Sequence, residues 1–117
     1  MHLHAATNTL RFGAPLTRAR GAVILIHGRG SSAEDIAGLA DAFDSQDLAF
    51  LAPEATNHTW YPHRFLVPPA ENEPWLSSAL AVIDTLADEV RAAGLPSERL
   101  ALAGFSQGAC LALEYAV

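Results

Sequence analysis

Residues 100–113 read LALAGFSQGACLAL, in which a serine with glycines two positions to either side lies between two apolar runs. The run at 100–103 predicts a buried strand, and the residues from Gln107 onward predict a helix. Between them, Gly104, Ser106 and Gly108 make the pattern G-x-S-x-G, which needs a sharp turn so that the serine oxygen stands clear of the sheet. The glycines leave room for the strand and the helix to approach each other. The stretch therefore predicts that Ser106 is a nucleophile.

A second motif agrees with the first. Residues 22–26 are continuously apolar and rich in β-branched side chains, as expected of a strand covered on both faces, and they end at the sequence HGRG. In enzymes that use the serine turn, the end of an earlier strand supplies one of the two backbone N–H groups that stabilise a developing oxyanion. We therefore expect the backbone amides of Arg29 and Gln107 to form an oxyanion hole.

The remaining strands complete an alternating order. Residues 7–12 fit an edge strand, and residues 48–52 fit another buried strand, closed by Pro53. Strands that alternate with helices predict an α/β fold, with a mostly parallel sheet, flanking helices and right-handed crossovers. The length of 117 residues is that of one domain, so we assign residues 1–117 to a single unit.

Two further helices are predicted between the strands. Ser32 is suited to cap a helix with Asp35 at its third position and with apolar residues at helical spacing: Ile36, Leu39, Ala40 and Phe43. Residues 75–93 give the clearest helix, with one apolar stripe: Leu76, Leu80, Ile83, Leu86, Ala87 and Val90. Residues 54–74 have no periodicity, and their aromatic content favours a functional loop.

Composition excludes several classes of protein. The net charge is −6 and the chain has no lysine, which argues against a surface for nucleic acid or anionic membrane. No apolar run approaches the roughly 20 residues that span a bilayer, and the first residues do not resemble a signal peptide. The single cysteine, Cys110, fits a reducing compartment and a small apolar residue of the helix core. We expect a cytoplasmic protein.

The histidines point to neither a metal nor a cofactor. No cluster of three convergent ligands is visible, so no metal site is predicted. His27 precedes Ser106, the wrong order for a triad base, and is expected to be a structural hydrogen-bonding residue. His58 and His63 fit the wall of a pocket better than a substitute base, and His4 fits a mobile terminus.

Taken together, these motifs resemble the N-terminal half of the bacterial carboxylesterase/phospholipase family of α/β-hydrolases, which is similar to acyl-protein thioesterases and, more distantly, to dienelactone hydrolases. The matching segments are IHGRG at 26–30 with an acidic helix start, APEA at 52–55 with WYP at 60–62, and AGFSQGA at 103–109. The resemblance implies that Ser106 is the nucleophile, that Arg29 and Gln107 supply oxyanion donors, and that Trp60 and Tyr61 lie near the substrate pocket. Members usually carry a small or apolar residue at the position of Arg29, so its side chain is expected to contact substrate or to point to solvent.

The resemblance also implies that catalysis needs residues from outside this chain. The aspartate and the histidine of the triad follow the serine in this fold, and the eleven residues after Ser106 contain neither. The expected function is cleavage of a small-molecule carboxylic ester or thioester through an acyl-enzyme on Ser106, with that aspartate and histidine supplied by a missing or separate C-terminal half. Two alternatives remain open: a non-catalytic remnant or interaction module, and a dienelactone hydrolase-like enzyme, against which the serine argues because such enzymes often use cysteine.

A structural consequence follows for the strand at 100–103. In the resembled fold this strand is central, between the strand that ends at Ile26 and one that comes later in the chain. Because that C-terminal part of the sheet is absent here, the strand is expected to expose unpaired backbone groups. We therefore expect a second polypeptide that carries the remaining strands, or a homo-oligomer that pairs along this edge.

Overall fold

A sheet of four strands organises the chain, with helices on both of its faces. The computed structural model describes residues 3–43, 46–63 and 67–116. The strands are β1 (Thr9–Gly13), β2 (Gly21–Ile26), β3 (Leu48–Pro53) and β4 (Leu100–Gly104). The helices are α1 (Ala33–Ala37), α2 (Trp75–Ala92) and α3 (Gln107–Ala116), and short 3₁₀ turns span Gly38–Ala42, Thr56–His58, Pro69–Asn72 and Ser97–Arg99.

The strand order is β1-β3-β2-β4. Strand β2 pairs in parallel with β3 on one side and with β4 on the other, so that Ile24 lies opposite both Leu51 and Leu102. Only β1 runs antiparallel, along the outer side of β3. The predicted α/β fold with a mostly parallel sheet is therefore confirmed, and β1 is the predicted edge strand.

The core has two layers because the central strand is covered on both faces. Ala22, Ile24 and Ile26 face the layer under α2 and α3, whereas Val23 and Leu25 face the layer under α1. All six residues of β2 are buried. Side chains of a strand point alternately to opposite faces, which explains why this strand is apolar at every position rather than at every second one.

Helix α1 begins as predicted and ends early. The Ser32 side chain accepts a hydrogen bond from the Asp35 amide at 3.1 Å, which confirms the predicted cap. The expected helical stripe as far as Phe43 is wrong, because the chain tightens into a 3₁₀ turn from Gly38 and leaves Leu39 39% exposed. Glycine is a poor residue for a helix interior, by about 1 kcal/mol relative to alanine.

Helix α2 has the predicted extent within one residue. Most of its predicted stripe is fully buried against the sheet, and Leu80 is packed at the margin of the core. The helix ends at Ala92, and Gly94 beyond it takes a φ of 99° while the Leu95 amide bonds back to the Val90 carbonyl at 3.3 Å. A left-handed glycine after the last turn is the usual way to satisfy the final carbonyls of a helix.

Strand β4 forms one edge of the sheet in the described part of the chain. Its only described neighbour is β2, and Ala101 is exposed. Next to this edge, Phe105 is 68% exposed and Leu113 of α3 is 64% exposed. Among the described residues, no helix is both long and apolar enough to cross a membrane.

Candidate active site

Ser106 lies in a two-residue turn between β4 and α3. It is exposed, and its φ of 56° is in the left-handed region that non-glycine residues rarely adopt. The Phe105 amide bonds to the Ile26 carbonyl at 3.2 Å, and the Ser106 carbonyl accepts from the Cys110 amide at 3.1 Å. A conformation of this kind costs of order 1–3 kcal/mol and persists only where the surrounding structure holds it.

Three glycines allow the backbones to meet at this turn. A Cβ atom on Gly108 would lie 1.9 Å from the Ile26 carbonyl oxygen, and one on Gly104 would lie 2.5 Å from the carbonyl carbon of Gly108. A Cβ atom on Gly28 would lie 3.0 Å from the Phe105 carbonyl oxygen and 3.5 Å from the Cβ of Ser106. The end of β2, the turn and the start of α3 are therefore in direct backbone contact, which brings the loop at 27–30 beside Ser106.

Two backbone amides near Ser106 have no acceptor among the residues that the structure describes. Within the described ranges, neither the Arg29 nor the Gln107 N–H group donates a hydrogen bond to another residue. Gln107 is the first residue of α3, where the amides have no partner within the helix and the helix dipole is positive. The two residues named from the sequence thus offer amides from loops that touch each other.

The side chains of the same two residues reach a common segment, residues 60–63. The buried side-chain amide of Gln107 accepts a hydrogen bond from the backbone N–H of Trp60 at 2.8 Å and donates one to the Tyr61 carbonyl at 3.0 Å. Arg29 donates to the Pro62 carbonyl at 2.8 Å and to the His63 carbonyl at 3.0 Å. The expectation that the Arg29 side chain contacts substrate or points to solvent stays a prediction: the residue is exposed, and two of its donor nitrogens bind the backbone of this chain.

A family model described as phospholipase/carboxylesterase matches residues 8–117. The chain belongs to this family. A phospholipase/carboxylesterase from Dyadobacter fermentans DSM 18053 is similar to it with a TM-score of 0.92 and 44% sequence identity, over 98% of this chain and 55% of that one. A structure of esterase PE8 is similar with a TM-score of 0.71 and 30% identity, over 92% of this chain and 56% of that one. The chain thus spans little more than half the length of these two structures, and its fold is that of an α/β-hydrolase.

His27 is a structural residue of this phospholipase/carboxylesterase-family chain. It is fully buried, and its Nε2 accepts the Ala55 amide at 3.0 Å. Because Nε2 is an acceptor, the proton is on Nδ1, which donates to the Gly28 carbonyl at 2.7 Å. Burial lowers the pKa of His27, which keeps the ring neutral. The structural interpretation of His27 is confirmed.

His4 has the same arrangement, and the expectation of a mobile terminus is wrong for it. Its Nδ1 accepts the Thr56 amide at 3.1 Å, its Nε2 donates to the Trp60 carbonyl at 2.7 Å, and its own amide donates to the Ser78 hydroxyl at 3.0 Å. Burial lowers its pKa as well. An isolated histidine near the start of a chain carries no periodic signal, so no sequence pattern indicates these bonds.

The two predicted pocket residues differ in position. Trp60 has 0% exposure and lies between His4 and His27, with ring centroids 5.1 Å from each, while its Nε1 donates to the His27 carbonyl at 3.0 Å. It therefore supports the site from the core and has no free surface of its own. Tyr61 borders an open cavity of about 200 Å³ together with Trp75 and Pro62, and burial raises the pKa of Tyr61 to about 12.

No described residue is placed as a base for Ser106. Within the three described ranges, no hydrogen bond joins the Ser106 hydroxyl to a histidine. His58 instead donates from Nδ1 to the Ser31 carbonyl at 2.8 Å and accepts the Gly30 amide at 2.7 Å through its carbonyl. Nor do the described histidine, cysteine, aspartate and glutamate side chains form a group of three that could hold a metal ion.

Proposed function

We propose that this chain carries the nucleophile and the oxyanion hole of a serine hydrolase that cleaves carboxylic esters or thioesters. The observation that carries the proposal is the exposed Ser106 in a left-handed turn, in backbone contact with the loop that holds Arg29. The amides of Arg29 and Gln107, which have no acceptor among the described residues, support the same assignment. Membership of the phospholipase/carboxylesterase family supports the substrate class.

The proposed reaction proceeds through an acyl-enzyme. The Ser106 oxygen attacks the carbonyl carbon of the substrate and gives its proton to a histidine base, while the amides of Arg29 and Gln107 bind the oxygen that becomes negative. Collapse of this intermediate breaks the bond to the alcohol or thiol, which leaves with the proton. Water, activated by the same base, then releases the carboxylic acid and restores the serine. Tyr61 is proposed to line the pocket for the acyl group.

The histidine and its aspartate are proposed to come from the part of the fold that this chain does not include. The matched structures extend well beyond the aligned region, because this chain covers only 55% of one and 56% of the other. The edge of β4 and the apolar surface beside it, with Phe105 and Leu113 exposed, provide a place for further strands and helices to pack. We assign this surface to the remaining part of the fold rather than to a second copy of this chain.

Hydrolysis by matched variants tests the proposed function. The chain, joined to or mixed with the polypeptide that completes its fold, is assayed with p-nitrophenyl esters and with acyl thioesters of increasing chain length. Ser106→Ala is expected to lower kcat by at least about 10³-fold, because loss of the nucleophile leaves only binding and the oxyanion hole. Ser31→Ala, a nearby half-buried serine outside the turn, is the control and is expected to keep most of the activity. Equal activity in Ser106→Ala would contradict the proposal, and no activity in the completed wild-type protein would favour a non-catalytic framework.

A further inference from the structure

The geometry points to Arg29 and Gln107 as positioning residues. Their side chains bind one backbone segment, residues 60–63, and thereby orient the two backbone amides that are proposed to bind the oxyanion. The inference rests on the proposed function, since it concerns the placement of the donors for that reaction. It assigns a second role to residues whose backbone N–H groups are the proposed donors.

The contacts form an uninterrupted series along the segment. The Gln107 side chain binds the Trp60 N–H and the Tyr61 carbonyl, at 2.8 and 3.0 Å, and the Arg29 guanidinium binds the Pro62 and His63 carbonyls, at 2.8 and 3.0 Å. Four successive residues are therefore held by the side chains of the two donor residues. The guanidinium of Arg29 donates through two nitrogens, and the side-chain amide of Gln107 accepts through its oxygen and donates through its nitrogen. Each side chain is therefore bonded to the segment through two atoms.

The segment at 60–63 is anchored at both of its ends. Trp60 is fully buried between two histidine rings, and its indole N–H is bonded to the His27 carbonyl at the base of the loop that holds Arg29. At the other end, the His63 amide donates to the Asn72 side chain at 2.7 Å. Neither of these two anchors involves the side chain of Arg29 or Gln107.

The two donor amides lie in parts of the backbone where side-chain bonds to this segment add restraint. Arg29 is exposed and lies between Gly28 and Gly30, and Gly30 has a φ of 76°. Glycine on both sides gives the backbone wide freedom, which is reduced because the Gly28 carbonyl, in the same peptide plane as the Arg29 N–H, accepts from His27 Nδ1 at 2.7 Å and from the Ser31 amide at 3.1 Å. Gln107 follows a residue in a strained conformation, and its amide direction depends on where α3 begins. Side chains bonded at two points to the segment at 60–63 further restrict the backbone at both donors.

Substitutions that keep both backbone amides test the inference. Gln107→Met retains the length of the side chain and loses both bonds, whereas Gln107→Glu retains the acceptor for the Trp60 N–H. Arg29→Met loses both bonds to the segment, whereas Arg29→Lys retains the charge and one donor. Gln46→Met and Arg18→Lys change exposed residues of the same types elsewhere and serve as controls. All variants are measured in the completed protein, for kcat and KM on one ester and for backbone N–H order parameters by NMR relaxation.

The expected result is a fall in kcat of about 10- to 100-fold for Gln107→Met and Arg29→Met with KM changed less than about threefold, since complete loss of one donor costs about 10²–10³ in kcat. Partial recovery is expected in Arg29→Lys but not in Gln107→Glu, whose buried carboxylate would face the Tyr61 carbonyl oxygen, and the order parameters of the amides of residues 29 and 107 are expected to fall in the Met variants. A kcat within twofold of wild type, or a loss seen only in KM or only as a loss of folded protein, would overturn the inference.

The order parameters separate this inference from the proposed function. If the wild-type protein hydrolyses no ester, the proposed function fails, and the order parameters of the two amides are still compared between wild type and variants. Lower order parameters at residues 29 and 107, with unchanged values in β2, support the positioning role. Unchanged order parameters at both amides in Gln107→Met and Arg29→Met overturn it.

Discussion

Ser106 is placed by residues that surround it more than by its own preference. Its left-handed backbone is unfavourable for serine, and it is held because Gly28, Gly104 and Gly108 let three backbones come into contact. At Gly108 the constraint is steric and has no flexible side chain to absorb it, since the opposing atom is the Ile26 carbonyl oxygen. The pattern G-x-S-x-G is therefore a packing requirement at this site as well as a chemical one.

A substitution at Gly108 measures that requirement. Gly108→Ala places a Cβ 1.9 Å from the Ile26 carbonyl oxygen, so we expect the free energy of unfolding to fall by at least about 2 kcal/mol. Gly38→Ala is the control, because nothing lies within 4 Å of its added Cβ and its φ is −59°. There we expect no loss, and a gain of about 0.4–1 kcal/mol from the unfolded chain. Urea denaturation of both variants decides the matter, and equal stabilities would contradict this account of the turn.

At the scale of elements, the segment that follows β3 is fixed by two histidines that bind neighbouring amides. His27 accepts the Ala55 amide and His4 accepts the Thr56 amide, and both rings pack on Trp60. Each acceptor nitrogen must be unprotonated to hold its amide. The first residues of the chain thereby connect to α2, through Ser78, and to the segment that contacts Gln107.

Acidification is expected to weaken this connection. Burial lowers the pKa of His4 and of His27 below 6.5, so the unfolded chain binds more protons than the folded chain between those lowered values and pH 6.5. The free energy of unfolding therefore falls as the pH drops through that window, and the contribution is complete above it. Thermal denaturation between pH 5 and 8 measures the slope. A double variant, His4→Gln with His27→Gln, is expected to flatten it, and an unchanged slope would exclude the two histidines as its cause.

At the scale of the molecule, β4 combines an open edge with an apolar surface. The cavity beside it, of about 490 Å³, is lined mainly by apolar side chains of β4 and α3, including Leu102, Ala112 and Leu113. Exposed edges of this kind pair with other chains unless charge or a covering element prevents it. The chain on its own is therefore expected to associate through this edge when the rest of the fold is not supplied.

A charge on this surface tests the expectation. Leu113→Lys is expected to reduce self-association of the isolated chain, because a lysine beside the open edge opposes pairing. Leu10→Lys is the matched control on β1, at the other end of the described strand order, where the side chain is 38% exposed. Light scattering over a range of concentrations gives the mass of each species. A wild-type chain that stays at 12.4 kDa at every concentration would contradict the expectation.

Much of this architecture follows from short-range patterns in the sequence. The apolar run at 22–26, the stripe of α2 and the Ser32 cap each depend on neighbours within a few residues, and each has the predicted structure. What the patterns lack are bonds between distant single residues. The ties from Arg29 to 62–63 and from His4 to Thr56 join positions 33 to 52 residues apart and depend on side-chain geometry alone. The predicted helix α1 is too long, because the apolar spacing that predicts it continues past Gly38, where the 3₁₀ turn begins.

The role of Ser106 as an activated nucleophile is tested most directly by the mass of the completed protein after incubation with a fluorophosphonate, followed by mapping of the modified residue. Such a probe reacts with a serine only where a base and an oxyanion hole activate it. We expect one adduct per chain, located on Ser106 and absent from the Ser106→Ala variant. An adduct on another residue, or none on the folded, completed wild-type protein, would contradict the assignment of Ser106 as an activated nucleophile.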